Sequence, residues 1–278
     1  MTATRFLVIG ALLWVGAVNI APLIEMARIS LLDAYPTLPG HVAGYGIGNY
    51  ATFLESPLYR DAFLRSMGFA AATAILTLIV VYPLAYHIAI NVAPARRVRH
   101  LLLLAAPFWT SEIVRIFAIT LLLSHRGGAN ILLRWIGLAD APLPLLYNRF
   151  SVGFGMVYAM LLVMLLPLYA ALDKLPRSLL DAASDLGSGP WTRLWRIVLP
   201  LTRGGIVSGC VLVFLLATGA FAVPMLLGGA DTTLFSLTIG GFFSNAEGQW
   251  PMGAAFSIIM LVAASAVAGG VFALAARR

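Results

Sequence analysis

The sequence predicts an all-α integral membrane protein with six transmembrane helices. Hydrophobic residues make up 61% of the 278 residues and charged residues only 10%, whereas soluble domains are about 45–50% apolar and about 25% charged. The apolar residues gather into six segments, each close to the roughly 20 residues that a helix needs to cross the bilayer core. Most of this apolar surface must therefore face lipid.

The six predicted spans are joined by more polar connections. They cover about 6–24, 63–90, 101–123, 152–172, 204–227 and 251–275. Arg5 precedes the first span as the basic region of a signal peptide would, but Val15-Gly16-Ala17-Val18 makes a poor cleavage site. We expect a retained first helix, with a signal peptide as the alternative, and a single transmembrane domain over residues 1–278.

Basic residues predict the orientation of the chain, because cytoplasmic loops carry an excess of arginine and lysine. Six spans place both termini on one side of the membrane. That side carries Arg5, Arg96, Arg97, Arg99, Lys174, Arg177, Arg193, Arg196, Arg203, Arg277 and Arg278. The other side carries Arg28, Arg60, Arg65, Arg126, Arg134 and Arg149, while Arg115 falls inside a span. The excess predicts that both termini and the 176–200 loop are cytoplasmic.

The 176–200 loop is polar, yet its sequence predicts two short helices. Ser178 and Asp181 have the spacing of a capping box at the start of the first helix. Gly187 stands where a left-handed residue ends a helix, and Pro190 suits the start of the next one. One side of the first helix presents Leu179, Ala182, Ala183 and Leu186, and the second helix repeats Trp191, Leu194, Trp195 and Val198. We expect the second helix to lie at the membrane surface.

This loop resembles the signature of the permease subunits of ABC importers of type I. That signature reads Glu-Ala-Ala, three residues, Gly, nine residues, Ile-x-Leu-Pro, and the chain has Asp181-Ala182-Ala183, Gly187 and Ile197-Val198-Leu199-Pro200. The only departure is Asp181, which keeps the charge and shortens its reach. The resemblance implies that Asp181, Ala182, Ala183, Gly187, Ile197, Leu199 and Pro200 couple the chain to an ATPase. An ordinary interfacial helix-turn-helix is the alternative.

Two further stretches are similar to the first of the paired permeases in spermidine/putrescine-type importers. They are Pro107-Phe108-Trp109-Thr110-Ser111 with Arg115, and Gly219-Ala220-Phe221-Ala222-Val223-Pro224 with Leu227-Gly228-Gly229. This resemblance implies a small cationic, polyamine-like solute and a heterodimer of permeases. Permeases for other small solutes, including iron and phosphonate, share parts of the pattern.

The resemblance also implies the partners of the chain. They are a second permease subunit, two cytoplasmic ATPase subunits and a periplasmic or lipid-anchored solute-binding protein. The chain itself would be a multi-pass protein of the inner (cytoplasmic) membrane. ATP and Mg would be bound by the ATPases, and no cofactor by this chain. ATP-driven closure of the ATPases would then rock the permeases between inward-facing and outward-facing states.

The sequence lacks the motifs of several enzyme classes. Lys174, the only lysine, follows Asp173 and not glycine, so the chain has no phosphate-binding loop of the Gly-Lys-Ser/Thr kind. It also has no His-Glu-x-x-His pair and no Gly-x-Ser-x-Gly elbow, and Cys210 is its only cysteine. Two alternatives to an importer subunit are a secondary carrier, for which paired internal repeats are expected, and a purely structural subunit.

Intramembrane polar and aromatic residues are the candidates for the translocation path. Glu112 and Arg115 fall in the middle of the predicted third span, where ionised groups need partners. Their spacing allows an intrahelical ion pair, and the alternative is that Glu112 meets a cationic solute. Phe108 and Trp109 would add cation–π contacts. Tyr82 and Tyr86, one helical turn apart, complete the candidate set.

Overall fold

The computed structural model describes residues 2–35, 43–244 and 249–276. These residues are almost entirely helical, and their only β-type pairing is one isolated antiparallel bridge between Leu32 and Tyr45. An all-helical fold agrees with the composition, because helices satisfy every backbone hydrogen bond within one segment and can therefore stand in lipid.

Thirteen α-helices account for most of the described residues. They are α1 (Thr2–Ser30), α2 (Gly48–Glu55), α3 (Pro57–Tyr86), α4 (Pro94–Ala105), α5 (Glu112–Leu123), α6 (Gly128–Trp135), α7 (Arg149–Asp173), α8 (Arg177–Asp185), α9 (Pro190–Arg193), α10 (Leu199–Thr218), α11 (Ala222–Leu227), α12 (Phe235–Ser244) and α13 (Trp250–Ala276). Single π turns follow α3 at His87–Asn91 and join α9 to α10 at Leu194–Val198, and 3₁₀ turns lie at Ala106–Trp109 and Ala230–Thr232.

Six helical stretches of the described chain are long and apolar enough to cross a membrane. They are Val8–Ser30, Pro57–Asn91, Glu112–Trp135, Arg149–Asp173, Pro190–Thr218 and Trp250–Ala276. The predicted segments 6–24, 63–90, 152–172 and 251–275 each lie within one longer helical stretch. The number of spans is therefore the predicted one, but the third and fifth have different bounds.

The predicted third span, 101–123, is not one helix. The helix α4 ends at Ala105, a 3₁₀ turn containing Pro107 follows, and Thr110 and Ser111 are extended before α5 begins at Glu112. Proline has no N–H to donate and its ring clashes with the preceding helical turn, which explains the interruption. Glu112 consequently stands in the first turn of a helix and not in the middle of one.

The predicted fifth span, 204–227, is also interrupted. Helical structure runs without a break from Pro190 to Thr218, ends at Gly219, and resumes at Ala222 as the short helix α11. A continuous helix would need an N–H from Pro224 to the carbonyl of Ala220, and proline cannot donate it. The result is a non-helical turn, 219–221, between two helices.

The described residues divide into two compact units, of which one comprises residues up to 64 together with 235–263. Its centre is a cluster of aromatic rings, with Phe53, Phe235 and Phe256 stacked or edge-to-face at centroid distances of 5.4–5.9 Å. The end of α1 is fastened to α2 by the Asn49 amide, which donates to the carbonyls of Ser30 and Leu32 at 3.0 and 2.9 Å. Aromatic packing and this amide organise the unit.

The other unit comprises residues 65–234 with the end of α13, and α7 and α10 pack closely within it. Gly205 and Gly209 of α10 face Pro167, Ala171 and Met164 of α7 so closely that a Cβ on either glycine would clash. Small residues at such a contact let two membrane helices approach. This unit holds the residues on which the functional argument depends.

Candidate solute cavity and coupling loop

A cavity of about 470 Å³ lies between α5, α7 and the 219–221 turn. We call it the solute cavity. Glu112 and Arg115 of α5 supply its charged groups, and its other lining residues are Ala159, Met160, Val163, Leu216, Gly219, Ala220, Phe221 and Ala222. The two helix interruptions that were not predicted thus meet at one place, because one places Glu112 at the start of α5 and the other contributes Gly219, Ala220 and Phe221 to the lining.

Glu112 is exposed and forms no ion pair with any residue that the structure describes. Among the residues that the structure describes, salt bridges join only Arg28 to Glu25 and Arg97 to Asp173. The carboxylate stands in the first turn of α5, where the helix dipole favours negative charge. The Glu112 side chain is thus a carboxyl group that faces an accessible cavity.

Arg115 packs on an aromatic ring and does not pair with Glu112. Its guanidinium carbon lies 4.7 Å from the centre of the Phe108 ring, and that ring is stacked on Tyr158 with a centroid distance of 5.6 Å and an interplanar angle of 19°. The Nε and Nη1 atoms of Arg115 are buried and have no hydrogen-bond partner. The intrahelical pair that the spacing allowed is not formed. Tyr158 was not predicted, because a tyrosine in an apolar span gives no local signal.

The remaining path candidates lie elsewhere. Trp109 is 79% exposed and does not line the solute cavity. Tyr82 and Tyr86 pack against the buried core of their unit, and the Tyr82 hydroxyl lies 3.2 Å from the Thr202 hydroxyl. The structure therefore brings together Glu112, Arg115 and Phe108, and it does not bring the tyrosines to them.

The 176–200 loop contains the two helices that were predicted, with a different start. The helix α8 begins at Arg177 after Pro176 and has no side-chain cap, so the capping box expected at Ser178 is wrong. Its end agrees with the expectation. Gly187 has φ +77°, its N–H donates to Ser184, and the Ser188 N–H donates to Ala183, both at 2.9 Å. These two bonds form a Schellman motif, which requires a left-handed residue at this position.

Residues of α8 divide between the core and the surface. Leu180 and Ala183 are buried, while Leu179, Ala182 and Leu186 are exposed, with Leu186 at 87%. The expectation that Ala183 shares an outward face with the other three is therefore wrong. Leu180 belongs to the core of its unit, so the helix is anchored on one side and presents an apolar stripe on the other.

The second helix of the loop continues directly into α10. Trp191 and Trp195 are exposed, whereas Val198 is fully buried. The Arg193 guanidinium donates to the Ser184 hydroxyl and joins the two helices of the loop. Asp181 and Pro200 are exposed, and Ile197 and Leu199 are half-buried. The loop is thus a fixed surface feature of its unit.

Residues 102–278 match the family described as "Binding-protein-dependent transport system inner membrane component". The spermidine/putrescine transport system permease protein PotB of Escherichia coli K12 is 38% identical over 220 residues, which are 78% of this chain and 78% of that protein. The chain belongs to this family of ABC importer permeases. The inner membrane ABC transporter permease protein YdcU of the same organism is 31% identical over 267 residues, 92% of this chain and 84% of YdcU.

The fold of this permease is also that of solved importer structures. A chain of a bacterial ABC transporter involved in import of the acidic polysaccharide alginate superposes with a TM-score of 0.79, covering 99% of this permease and 95% of that chain, at 17% sequence identity. A second structure of an alginate transporter, in complex with an alginate-bound periplasmic protein, gives a TM-score of 0.75 and covers 97% and 92% of the two chains.

Family membership establishes the class of the permease. It is a multi-pass inner membrane transport subunit and not an enzyme, and it acts in an ABC importer with a second permease, an ATPase and a binding protein. The prediction made from the 176–200 loop is confirmed at this level.

Proposed function

We propose that this permease forms half of the translocation path for a small cationic, polyamine-like solute, and that Glu112 binds an ammonium group of it. The observation that carries the proposal is that the Glu112 carboxylate is exposed, lines the solute cavity and is unpaired among the described residues. A carboxylate in a site of low dielectric attracts a cation more strongly than it would in water. Relatives named as spermidine/putrescine permeases support this class of solute.

The partner permease is a different chain in this proposal. The exposed apolar side chains of α1 support contact of this helix with a large protein partner or with lipid. Among the side chains that the structure describes, none in the most apolar part of α1 is buried. Exposed apolar side chains surround this helix, as in Leu13, Trp14, Ile20 and Leu23. The resemblance to the first permease of spermidine/putrescine-type importers favours a heterodimer, with residues 1–278 acting as one permease domain.

The 176–200 loop docks on one of two ATPase subunits, which bind ATP and Mg. Its exposed stripe of Leu179, Ala182 and Leu186 offers an apolar surface, and apolar residues are typical of the centre of interfaces. The exposed Trp191 adds a large aromatic side chain to the loop. Asp181 lies on the exposed part of the same helix. The loop is anchored by Leu180, so a movement of the ATPase is transmitted to α7 and α10.

The loop and both termini are cytoplasmic in this proposal, on the strength of the excess of basic residues. Arg277 and Arg278 lie outside the described residues. Exposed Arg96, Arg99 and Arg196 contribute to the basic side. A periplasmic or lipid-anchored binding protein delivers the solute from the opposite side.

Uptake by the assembled importer tests the proposal. The permease, its partner permease, ATPase and binding protein are reconstituted in vesicles, and ATP-dependent uptake of radiolabelled 1,4-diaminobutane and related amines is measured. Uptake of an amine that Glu112→Gln reduces without loss of assembly is the expected result. Uptake of no amine at all, or unchanged kinetics in the variant, would overturn the assignment of the solute and of Glu112.

A further inference from the structure

A second cavity, of about 380 Å³, lies beside the start of α7 and contains three charged groups. We call it the arginine cavity. Arg65 of α3, Arg149 of α7 and Asp231 are exposed and line it, and its other lining residues are uncharged. The salt bridges among the described residues include none of these three groups. The arginine cavity therefore has a net positive charge and two guanidinium groups that are available to a partner.

The arginine cavity lies at the opposite end of α7 from the 176–200 loop. Arg149 begins α7 and Asp173 ends it, and its 25 residues cover about 37 Å, whereas the hydrocarbon core of a bilayer is about 30 Å thick. Arg97 lies shortly after α3 and pairs with Asp173. The ends of α3 and α7 are therefore on one side of the membrane, and their starts meet at the arginine cavity on the other side.

Hydrogen bonds fix the backbone on one side of the arginine cavity. Asn148 and Ser151 form a reciprocal capping box around Arg149, and the Ser151 hydroxyl also donates to the Leu227 carbonyl at 2.8 Å. Leu227 ends α11, whose six residues cover about 9 Å and begin at Ala222, which lines the solute cavity. A partner bound at the arginine cavity is therefore close to the solute cavity.

Tyr147, next to the capping box, combines an unusual backbone with an exposed ring. Its φ is 59°, and it is the only non-glycine residue with a positive φ among those that the structure describes. Gly229 packs against it so closely that a Cβ would clash with the Tyr147 carbonyl oxygen, yet 60% of Tyr147 is exposed. Backbone strain of this kind clusters at functional sites. Tyrosine and arginine are also enriched among the residues that dominate the binding energy of protein interfaces.

We infer that the arginine cavity and Tyr147 form a docking surface for the solute-binding protein, and that an aspartate or glutamate of that protein pairs with Arg65 and Arg149. Arginine presents two parallel N–H donors that match a carboxylate. Asp231 would repel the phosphate of an anionic lipid but can pair with a basic residue of a protein, so the mixed charges favour a protein partner. The inference rests on the proposed function, in which the loop is cytoplasmic and the binding protein delivers the solute from the opposite side.

The affinity of the solute-binding protein for the complete importer tests the inference, whichever solute is carried. The importer is held in phosphatidylcholine nanodiscs, and the dissociation constant of the binding protein is measured for wild type, Arg65→Gln and Arg149→Gln. Each variant loses a charge-assisted hydrogen bond, so the constant should rise about tenfold. Tyr147→Asn removes the ring but keeps a residue that tolerates a positive φ, and it should raise the constant at least about fivefold.

Stimulated ATP hydrolysis separates docking from folding. In Arg149→Gln, the concentration of binding protein that gives half-maximal stimulation should rise about tenfold, while the maximal rate stays that of wild type. The reason is that the substitution weakens docking and leaves the ATPases and their contact with the 176–200 loop intact. A lower maximal rate with an unchanged half-maximal concentration would show a structural role and overturn the inference.

Arg134→Gln is the matched control, because Arg134 is an exposed arginine that lines a different cavity beside Asp140. It should leave the dissociation constant unchanged. An equal rise in Arg134→Gln, or no rise in Arg65→Gln and Arg149→Gln, would overturn the inference. A rise that appears only in nanodiscs containing phosphatidylglycerol would assign the arginine cavity to an anionic lipid and overturn it as well. Failure of amine uptake, with the binding results as expected, would overturn only the solute assignment of the proposed function.

Discussion

The 176–200 loop and the solute cavity of this permease are built in opposite ways. The loop is one run of 25 residues, 176–200, whose turn is closed by hydrogen bonds among Ala183, Ser184, Gly187 and Ser188. The cavity is assembled from α5, α7 and the 219–221 turn, which are far apart in the chain. The conformation of a contiguous loop is determined by the residues of the loop itself, whereas the lining of the cavity depends on where two helices are interrupted. Substitutions should therefore separate the two regions cleanly.

Glu112→Gln should have the largest effect, and that effect should be confined to the uptake of the solute. The change removes a charge with little change of shape, and a hydrogen bond to a charged group contributes about 1.5–3 kcal/mol, so the apparent affinity for an amine should fall about tenfold to a hundredfold. Concentration-dependent uptake in reconstituted vesicles measures it. Failure of the complex to assemble would instead indicate that Glu112 is needed to offset the charge of Arg115.

Gly187→Val should act on coupling alone. Gly187 has φ +77°, where a residue with a Cβ costs about 1–2 kcal/mol and a β-branched one is a strong outlier. The fraction of importers in which the 176–200 loop is docked on the ATPase should fall roughly fivefold to thirtyfold. ATP hydrolysis stimulated by the solute-loaded binding protein measures this fraction and should fall by the same factor.

Gly189→Val is the matched control for the loop. A Cβ at either glycine would meet no atom within 4 Å, but Gly189 has φ −64° and ψ 163°, which any residue adopts. Stimulated hydrolysis should therefore be near wild type. Equal losses in the two variants would mean that bulk in the loop, and not the left-handed turn, controls docking.

The difference between the two regions also explains what the sequence could predict. Gly187 and the Asp181 to Pro200 spacing are local signals, and they correctly predicted the left-handed turn and the family of the chain. The predicted capping box at Ser178 is not formed, because the N-cap position is taken by Pro176 and α8 begins two residues earlier than predicted.

Tyr158, in contrast, contacts the Phe108 ring, which lies 50 residues away in the chain. The continuous apolar pattern of 101–123 predicts one span with Glu112 in its middle, although Pro107 is a local signal for the interruption. Contacts between residues that are far apart in the sequence, such as Phe108 and Tyr158, are set by tertiary packing and leave no local sequence pattern.

Gly205→Ala should have a smaller effect, on stability and not on either function. A Cβ on Gly205 would clash with Ala171 and would lie 2.7 Å from the Pro167 carbonyl oxygen. Overpacking of this kind costs about 1–3 kcal/mol. Gly204→Ala is the control, since a Cβ there meets nothing within 4 Å and alanine is the better helix former. The midpoint temperature of thermal unfolding, measured for the complex in detergent, should be higher for Gly204→Ala than for wild type and lower for Gly205→Ala.

Cysteine labelling should leave activity nearly unchanged and fix the sides of the membrane. Ala95 and Ala230 are both exposed, and in a Cys210→Ser background a cysteine at Ala95 should react only from the cytoplasm and one at Ala230 only from outside. Impermeant maleimide applied to cells and to inverted vesicles measures this. Reversed labelling would overturn the orientation, and labelling of both positions from one side would overturn the six-span topology.

The number of solute molecules imported per ATP hydrolysed tests most directly whether the 176–200 loop and the solute cavity have separate roles. Uptake and ATP hydrolysis are measured in the same vesicles at a fixed, subsaturating amine concentration for wild type, Glu112→Gln and Gly187→Val. We predict that Glu112→Gln lowers the ratio about tenfold or more, because hydrolysis continues while the solute is poorly held, and that Gly187→Val leaves the ratio unchanged while both rates fall. A preserved ratio in Glu112→Gln together with a collapsed ratio in Gly187→Val would contradict the account.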